Sequence, residues 1–389
     1  MQAYRRLNEA DVLAYVRELP GLFSENAMLE VQEIGDGNMN YVFRIFDRKS
    51  QKSVIVKQAV PYIRVIGEAW PLTLDRARIE AEALKMEYSL CPSFVPQVYH
   101  FNKDYALIVM EDLSSFLILR KGLIERKQYP FLAQHVGIFV ARMLFFTSIF
   151  GLDESDRKKQ EMQYSNPELS QITGGVVFTD PFHDAEMNRF NPLIKDKVYG
   201  LWGNQELKLE VAKLKEKFFT HPQALIHGDL HTGSIMVTEK ETKIIDPEFA
   251  FFGPIGFDIG AFMANILLNY ASQEAEFRGY LLETVKQIWL SFEKEFMMLC
   301  QTQSKEQNVT VPGYLEDYLL RVLQDSLGYA GCKMLRRVIG VAHVADLEGI
   351  EDDQVRAKAE RLAITIGERL ILSREAIKSI EEVIEMIKR

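Results

Sequence analysis

The segment Ile226-His227-Gly228-Asp229-Leu230-His231-Thr232-Gly233-Ser234-Ile235 sets one carboxylate among histidines, glycines and hydroxyls. Soon after it, Lys243-Ile244-Ile245-Asp246-Pro247-Glu248 ends an apolar run on two more carboxylates. Much earlier, Val54-Ile55-Val56-Lys57 closes an apolar strand on a lysine, and Gly35-Asp36-Gly37-Asn38-Met39-Asn40-Tyr41-Val42 lies between two strands. Each residue type has its own chemistry. A glycine loop lets backbone N–H groups close over phosphate oxygens. A lysine at the end of a buried strand needs a partner, which phosphate oxygens and a helix carboxylate would supply. Glu80 is the first candidate for that carboxylate and Glu82 the second. Phosphoryl transfer from ATP needs a carboxylate to hold Mg²⁺ against the triphosphate. Taken together, these residues point to phosphoryl transfer.

Elements must hold these residues in place. Leu29 to Ile34, Tyr41 to Phe46 and Ser53 to Gln58 read as three antiparallel strands, the last rich in β-branched residues. A loop with Pro61, Gly67 and Pro71 follows. Thr73 can cap a helix through Glu87, with Leu74, Ala77, Ala81, Leu84 and Tyr88 along one face. Gln97 to Asn102 and Tyr105 to Met110 complete a five-stranded lobe ending near Asp112. Helical periodicity then dominates: Tyr129 to Phe150, Glu206 to Phe219, Gly256 to Ser272, Glu274 to Cys300, Pro312 to Leu347, and Val355 to Lys388 with a break near Gly367. One hairpin interrupts it, Ser234 to Thr238 and Lys243 to Ile245. The expected class is α+β, with a small antiparallel β lobe over residues 1–112 and a larger, mostly helical lobe over 113–389.

Composition narrows the possibilities. The 389 residues are 47% hydrophobic and 26% charged, too apolar for a disordered chain. A net charge of −9 argues against a nucleic-acid binder or a binder of anionic membranes. Three scattered cysteines, Cys91, Cys300 and Cys332, offer no disulfide framework and suit a reducing cytoplasm. The N-terminus lacks the apolar core of an export signal. The most apolar stretch, Val136 to Leu152, carries Arg142 in its middle and reads as a buried helix rather than a membrane span.

The order of the elements is the plan of the protein-kinase-like fold. Within it, His227-Gly228-Asp229-Leu230-His231 before a hairpin resembles the catalytic loop of small-molecule kinases of the aminoglycoside phosphotransferase type. That resemblance implies that Asp229 accepts or orients the substrate hydroxyl and that Asp246 is the metal-binding aspartate. Val54 to Lys57 resembles the kinase lysine strand. Leu107 to Leu113 would be the crossover whose backbone, at Glu111 and Leu113, meets the adenine edge. The usual loop has Asn five residues after the catalytic Asp. Here that position is Ser234, a poorer ligand, and Glu248 could supply the missing anionic oxygen. Asp258, in Phe257-Asp258-Ile259-Gly260, could cap a helix or brace the loop. Arg336-Arg337 interrupts an apolar helix. Adjacent helix positions differ by about 100°, so both cannot face one core, and at least one could point at an anion.

More closely, the chain resembles the methylthioribose kinases of methionine salvage over essentially its whole length. The resemblance rests on Gly35 to Val42, Gly67-Glu68-Ala69-Trp70-Pro71-Leu72, His231 to Ser234, Asp246 to Pro254, and Met334-Leu335-Arg336-Arg337. Its departures from the general kinase pattern, Ser234 and Asp246-Pro247-Glu248, are what this family looks like. It implies ATP-dependent phosphorylation of 5-methylthioribose at its anomeric hydroxyl, with Mg²⁺. Nucleotide contacts would fall to Gly35, Gly37, Asn38, Asn40, Lys57, Glu80, Glu111 and Leu113, and metal contacts to Asp246 and Glu248. Substrate contacts would fall to Asp229, Trp70, Arg336 and Arg337, in a cytoplasmic homodimer. The rival readings are another small-molecule kinase of the aminoglycoside, choline or homoserine type, and a nucleotide-binding module without activity.

Overall fold

The computed structural model describes residues 4–34, 39–63 and 67–389, without the side chains of residues 63 and 67–70. Gly35, Gly37 and Asn38 therefore lie outside the described residues, as does the side chain of Trp70. The chain forms two compact units. One runs to Phe116 and takes in Lys243–Phe249; the other comprises Leu117–Thr242 and Ala250–Arg389.

The first unit begins with a helix that the sequence reading does not anticipate, α1 (Glu9–Glu18), closed by a reciprocal cap between Asn8 and Asp11. Then come β1 (Leu29–Ile34), β2 (Asn40–Asp47), β3 (Ser53–Ala59), β4 (Tyr62–Ile63), β5 (Gly67–Pro71), α2 (Arg76–Leu90), β6 (Val98–Asn102) and β7 (Leu107–Glu111). Five strands make one antiparallel sheet in the order β1-β2-β3-β7-β6. Alternation decides which residues go where. Phe43, Ile45, Val54, Val56, Leu107 and Val109 share a core with Val12 and Val16 of α1. Lys57 is one position out of that phase, so it leaves the other face of β3, between Val42 and Ile108 in register.

Two local expectations change here. The loop carrying Pro61, Gly67 and Pro71 is an antiparallel pair, β4 with β5. Thr73 does not cap α2: its hydroxyl accepts from the N–H of Asp75 at 3.2 Å, in the turn before the helix. Asp75 takes the cap position and pairs with Arg78 one turn on at 2.6 Å.

The second unit is mostly helical: β8 (Leu117–Ile118), α3 (Leu119–Ile124), α4 (Leu132–Phe146), α5 (Glu154–Gln163), α6 (Pro167–Phe178), α7 (Lys195–Gly203), α8 (Gln205–Thr220), β9 (Ala224–Ile226) and β10 (Ile235–Val237). Across β11 (Thr242–Ile244) the chain passes back to the first unit, then returns to the second with β12 (Phe251–Gly253), α9 (Gly256–Ser272), α10 (Ala275–Gln303), α11 (Tyr314–Ile339), α12 (Ala345–Glu348), α13 (Asp353–Ser373) and α14 (Ile380–Lys388). The α+β class is the one expected.

Helix α9 is buried on every side and forms the centre of this unit. The apolar run around Arg142 is α4, packed on α10, where Arg142 pairs with Glu295 at 2.8 Å. Among the described residues no helix is long and apolar enough to cross a membrane. The long helix expected from Pro312 to Leu347 stops at Ile339, where Gly340 turns extended.

Gly367 does not break α13, which runs on to Ser373. The glycine has another use. A Cβ on Gly331 of α11 would lie 2.4 Å from the carbonyl oxygen of Gly367, so α11 and α13 touch backbone to backbone. Gly260 of α9 is similar: a Cβ there would lie 2.3 Å from the Ser326 oxygen of α11. Helix α11 is thus locked against two neighbours at fixed depth.

Candidate active site

In the first unit, the buried Lys57 ammonium bonds Glu80 Oε1 at 2.6 Å and Asp246 Oδ1 at 2.5 Å. Glu80 is thus its helix partner; Glu82, two residues further on, pairs with Arg78. Burial pulls the Lys57 ammonium down, but the carboxylates of Asp246 and Glu80 outweigh it and push it up. Burial pushes Glu80 up, against the pull of Lys57.

Asp246 reaches the first unit because its segment is tied there. Lys243 Nζ donates to the Val95 carbonyl at 3.0 Å, and Ile244 N–H to that of Phe94 at 2.7 Å. Asp246 itself has φ 65°, a left-handed backbone rare outside glycine. Its side chain is 44% exposed, so one face of the carboxylate meets solvent while Oδ1 holds Lys57.

Two residues further, Glu248 is buried, with Oε2 on Arg76 Nη1 at 2.6 Å and on Asn40 Nδ2 at 3.3 Å. Arg76 is wholly buried. It also donates to Asn40 Oδ1 and to the carbonyls of Met39 and Val60. Asn40 therefore turns its amide to Arg76 and Glu248. At the crossover, the Glu111 N–H already donates to the Gln97 carbonyl at 2.9 Å, and the Leu113 carbonyl accepts from Phe116 at 2.8 Å.

In the second unit, the loop after β9 is built from its own backbone. Asp258, in the first turn of α9, accepts from the N–H groups of His227 at 2.6 Å and Gly228 at 3.0 Å. Of the two roles open to it, bracing the loop is the one it takes. His227 Nδ1 accepts from the N–H of Asp229 at 3.3 Å. Ser234 is buried, and its hydroxyl accepts from the His231 N–H at 2.9 Å, facing the carbonyls of Asp229 and His231. It is a stitch in the loop.

Asp229 is flanked by a lysine and a histidine. Lys333 Nζ of α11 bonds its Oδ1 at 2.8 Å, and His231 Nε2 stands 3.4 Å from Oδ2. His231 Nδ1 accepts from Gly233 N–H, so a neutral ring carries its proton on Nε2, toward Asp229. Burial would raise the Asp229 carboxyl, but Lys333, His231, Arg337 and Arg336 hold it well below the usual carboxylate range.

Arg336 and Arg337 occupy the last turn of α11, and both act on Asp229. They do not share one environment, Arg337 being buried and Arg336 partly exposed, and the anion that both act on is a carboxylate of the chain itself. Arg337 Nη1 donates to the Ala342 carbonyl at 2.7 Å. Among the described residues, neither Nε finds a hydrogen-bond partner, although both atoms are buried. Burial lowers Arg336, and burial with the Arg336 charge lowers Arg337.

Comparison with known proteins settles the family. The methylthioribose kinase of Geobacillus sp. (strain WCH70) is 49% identical over 380 residues, 98% of this chain and 95% of the relative. That of Bacillus pumilus (strain SAFR-032) is 44% identical over 388 residues, 100% of this chain and 98% of the relative. The chain belongs to the methylthioribose kinase family. It is accordingly a phosphotransferase, and residues 184–292 match the model of the phosphotransferase enzyme family. That span includes Asp229, Asp246, Glu248 and Asp258. A solved choline kinase from Cryptosporidium parvum Iowa II aligns over 98% of both chains, with a TM-score of 0.50 and 12% identity, a likeness of fold alone.

The sequence reading of this methylthioribose kinase family member leaves out two residues that the structure makes central. Lys333 stands three and four positions before the paired arginines, which puts all three on one side of a helix. That spacing was a usable signal. Arg76 gave none, since an arginine opening an amphipathic helix reads as a surface residue.

Proposed function

We propose that the chain transfers the γ-phosphoryl group of ATP to the anomeric C1 hydroxyl of 5-methylthioribose, giving 5-methylthioribose 1-phosphate and ADP, in methionine salvage. The observation that carries this reading is the ionised Asp229 carboxylate set among three cations of α11. An anomeric hydroxyl is more acidic than an ordinary alcohol, so it asks for orientation more than for a strong base. The surrounding cations suit the charge of a transferring phosphoryl group.

The residue set also fits Mg²⁺. Among the described residues no three His, Cys, Asp or Glu side chains gather as ligands. Mg²⁺ bound with a nucleotide needs only one or two carboxylates, with phosphate and water oxygens completing its shell. Asp246 would hold it through its exposed face, with Glu248 behind. When bound, the ion neutralises triphosphate charge.

Each residue of the chain then has a task. Lys57, fixed by Glu80, meets phosphate oxygens. Gly35, Gly37, Asn38 and Asn40 shape the loop over them, and the backbone at Glu111 and Leu113 borders the adenine. Arg336 and Arg337 take the transferring group or the product phosphate, because the sugar is neutral. Trp70 contributes to the sugar site. A homodimer belongs to the same reading and rests on the family resemblance, and a cytoplasmic location rests on the three scattered cysteines. A choline-type substrate is disfavoured, since a quaternary ammonium would meet Lys333, Arg336 and Arg337.

The test is ADP release by the purified protein with ATP and Mg²⁺, against methylthioribose, ribose, choline and homoserine. Phosphorus NMR of the product locates the phosphate. Turnover of methylthioribose to the 1-phosphate supports the reading, and a preference for any other acceptor refutes it.

A further inference from the structure

We infer that Lys333 is a positioning residue for this reaction: its ammonium fixes Oδ1 of Asp229, leaving Oδ2 as an oriented acceptor for the substrate hydroxyl. The inference rests on the proposed function, which names that hydroxyl.

Geometry is the first support. The 2.8 Å bond to Oδ1 is short, whereas among the described residues Oδ2 has His231 Nε2 at the longer distance of 3.4 Å. The two oxygens of one carboxylate therefore differ: one is held and one is lightly held. Lys333 is itself buried, with Nζ 5.0 Å from the centroid of the Phe257 ring. It cannot wander, because α11 is locked at Gly331 against α13 and at Ser326 against α9. A lysine on a rigid helix places a point charge as reproducibly as the backbone beneath it.

Charge is the second support. The groups facing Lys333 come from three elements: Asp229 and His231 from the loop, Asp258 from α9, and Arg336 and Arg337 from its own helix. Burial pushes Lys333 down to about 8; the arginine charges add to this, and Asp229 opposes it. The cation is the form that bonds Asp229. It is present below that pH and is lost as pH rises through it. Lys57 titrates in the opposite sense, being pushed up, so the two buried lysines are separable by pH.

The experiment is kcat/KM for methylthioribose from about pH 6 to about pH 10, which reports groups of the free enzyme. The wild type is expected to lose kcat/KM on the alkaline side, with an inflection near 8. Lys333→Arg keeps the charge and should move that limb up by about one unit or more, with measurable activity. Lys333→Met should abolish the limb and lower kcat about a hundredfold, with KM for ATP unchanged. Far-ultraviolet dichroism checks folding, and the wild-type profile needs no variant. A wild type with no alkaline inflection overturns the inference. So does a Lys333→Arg variant that keeps the wild-type limb, or a folded Lys333→Met variant within about threefold of wild-type kcat. A wild type that phosphorylates some other acceptor defeats the proposed function instead, and the two failures cannot be confused.

Discussion

The two charged clusters are built on opposite balances. Around Lys57 the first unit gathers two cations, Lys57 and Arg76, against three carboxylates, Glu80, Asp246 and Glu248. Around Asp229 the second unit gathers four cations, Lys333, Arg336, Arg337 and Arg120, against three carboxylates, Asp229, Asp258 and Asp346. The first carries a surplus of negative charge and the second a surplus of positive charge. A buried surplus is costly until its counter-charge arrives. Under the proposed function, the first surplus would be met by a cation and the second by a phosphate. Composition cannot show this, because a net charge of −9 averages over both.

The largest expected effect comes from neutralising the carboxylate at the centre of the second cluster. Asp229→Asn should cut turnover by about a thousandfold or more while ATP affinity, measured by calorimetry, stays near wild type. An Asn variant within about threefold of wild type would dissolve the contrast, since the cations alone would then suffice.

Disturbing the first cluster should show in stability as well as activity. Glu248→Gln leaves Arg76 buried without its carboxylate, and the loss on urea unfolding should be about 3 kcal/mol. The Mg²⁺ concentration for half-maximal activity should rise in the same variant. An unchanged Mg²⁺ requirement with the full stability loss would make Glu248 a purely structural residue.

Single Arg336→Lys and Arg337→Lys changes keep the charge surplus but lose the planar fork. Each should lower kcat and kcat/KM together by about tenfold. If only KM for the sugar rises, the positive cluster serves the sugar and not the phosphoryl group.

The smallest effect on chemistry belongs to Gly367→Ala. A Cβ there would lie 3.2 Å from the Gly331 oxygen and from Leu335, so the α11–α13 contact must open slightly. Stability should fall by about 1–3 kcal/mol, with the pH profile unmoved, as read by thermal melting beside kinetics.

Much of this was legible beforehand. The strands Leu29 to Ile34 and Ser53 to Gln58 announce themselves by alternation and β-branching, and Asp229 and Asp246 by glycine and apolar neighbours. What stayed hidden depends on contacts between distant residues. Thr73 looked like a cap because local sequence permits it, yet Asp75 lies nearer the first turn. Gly367 looked like a break because glycine is a poor helix former, but its missing side chain serves a neighbouring helix. Arg76 was invisible because its partners lie at residues 39, 40, 60 and 248.

The return of Lys243–Phe249 to the first unit has a consequence for how this protein is made. Lys57 and Asp246 are 189 residues apart, and Arg76 and Glu248 are 172 apart. At synthesis rates of about 5–20 residues per second, the first unit waits roughly 10–40 seconds on the ribosome for its last two carboxylates. During that interval its sheet can form, but Lys57 and Arg76 have not yet met those partners. The first unit is thus completed from the second half of the message, after the loop bearing Asp229 has been translated. A gene fragment ending at Phe116 would encode its sheet with Lys57 and Arg76, but neither Asp246 nor Glu248.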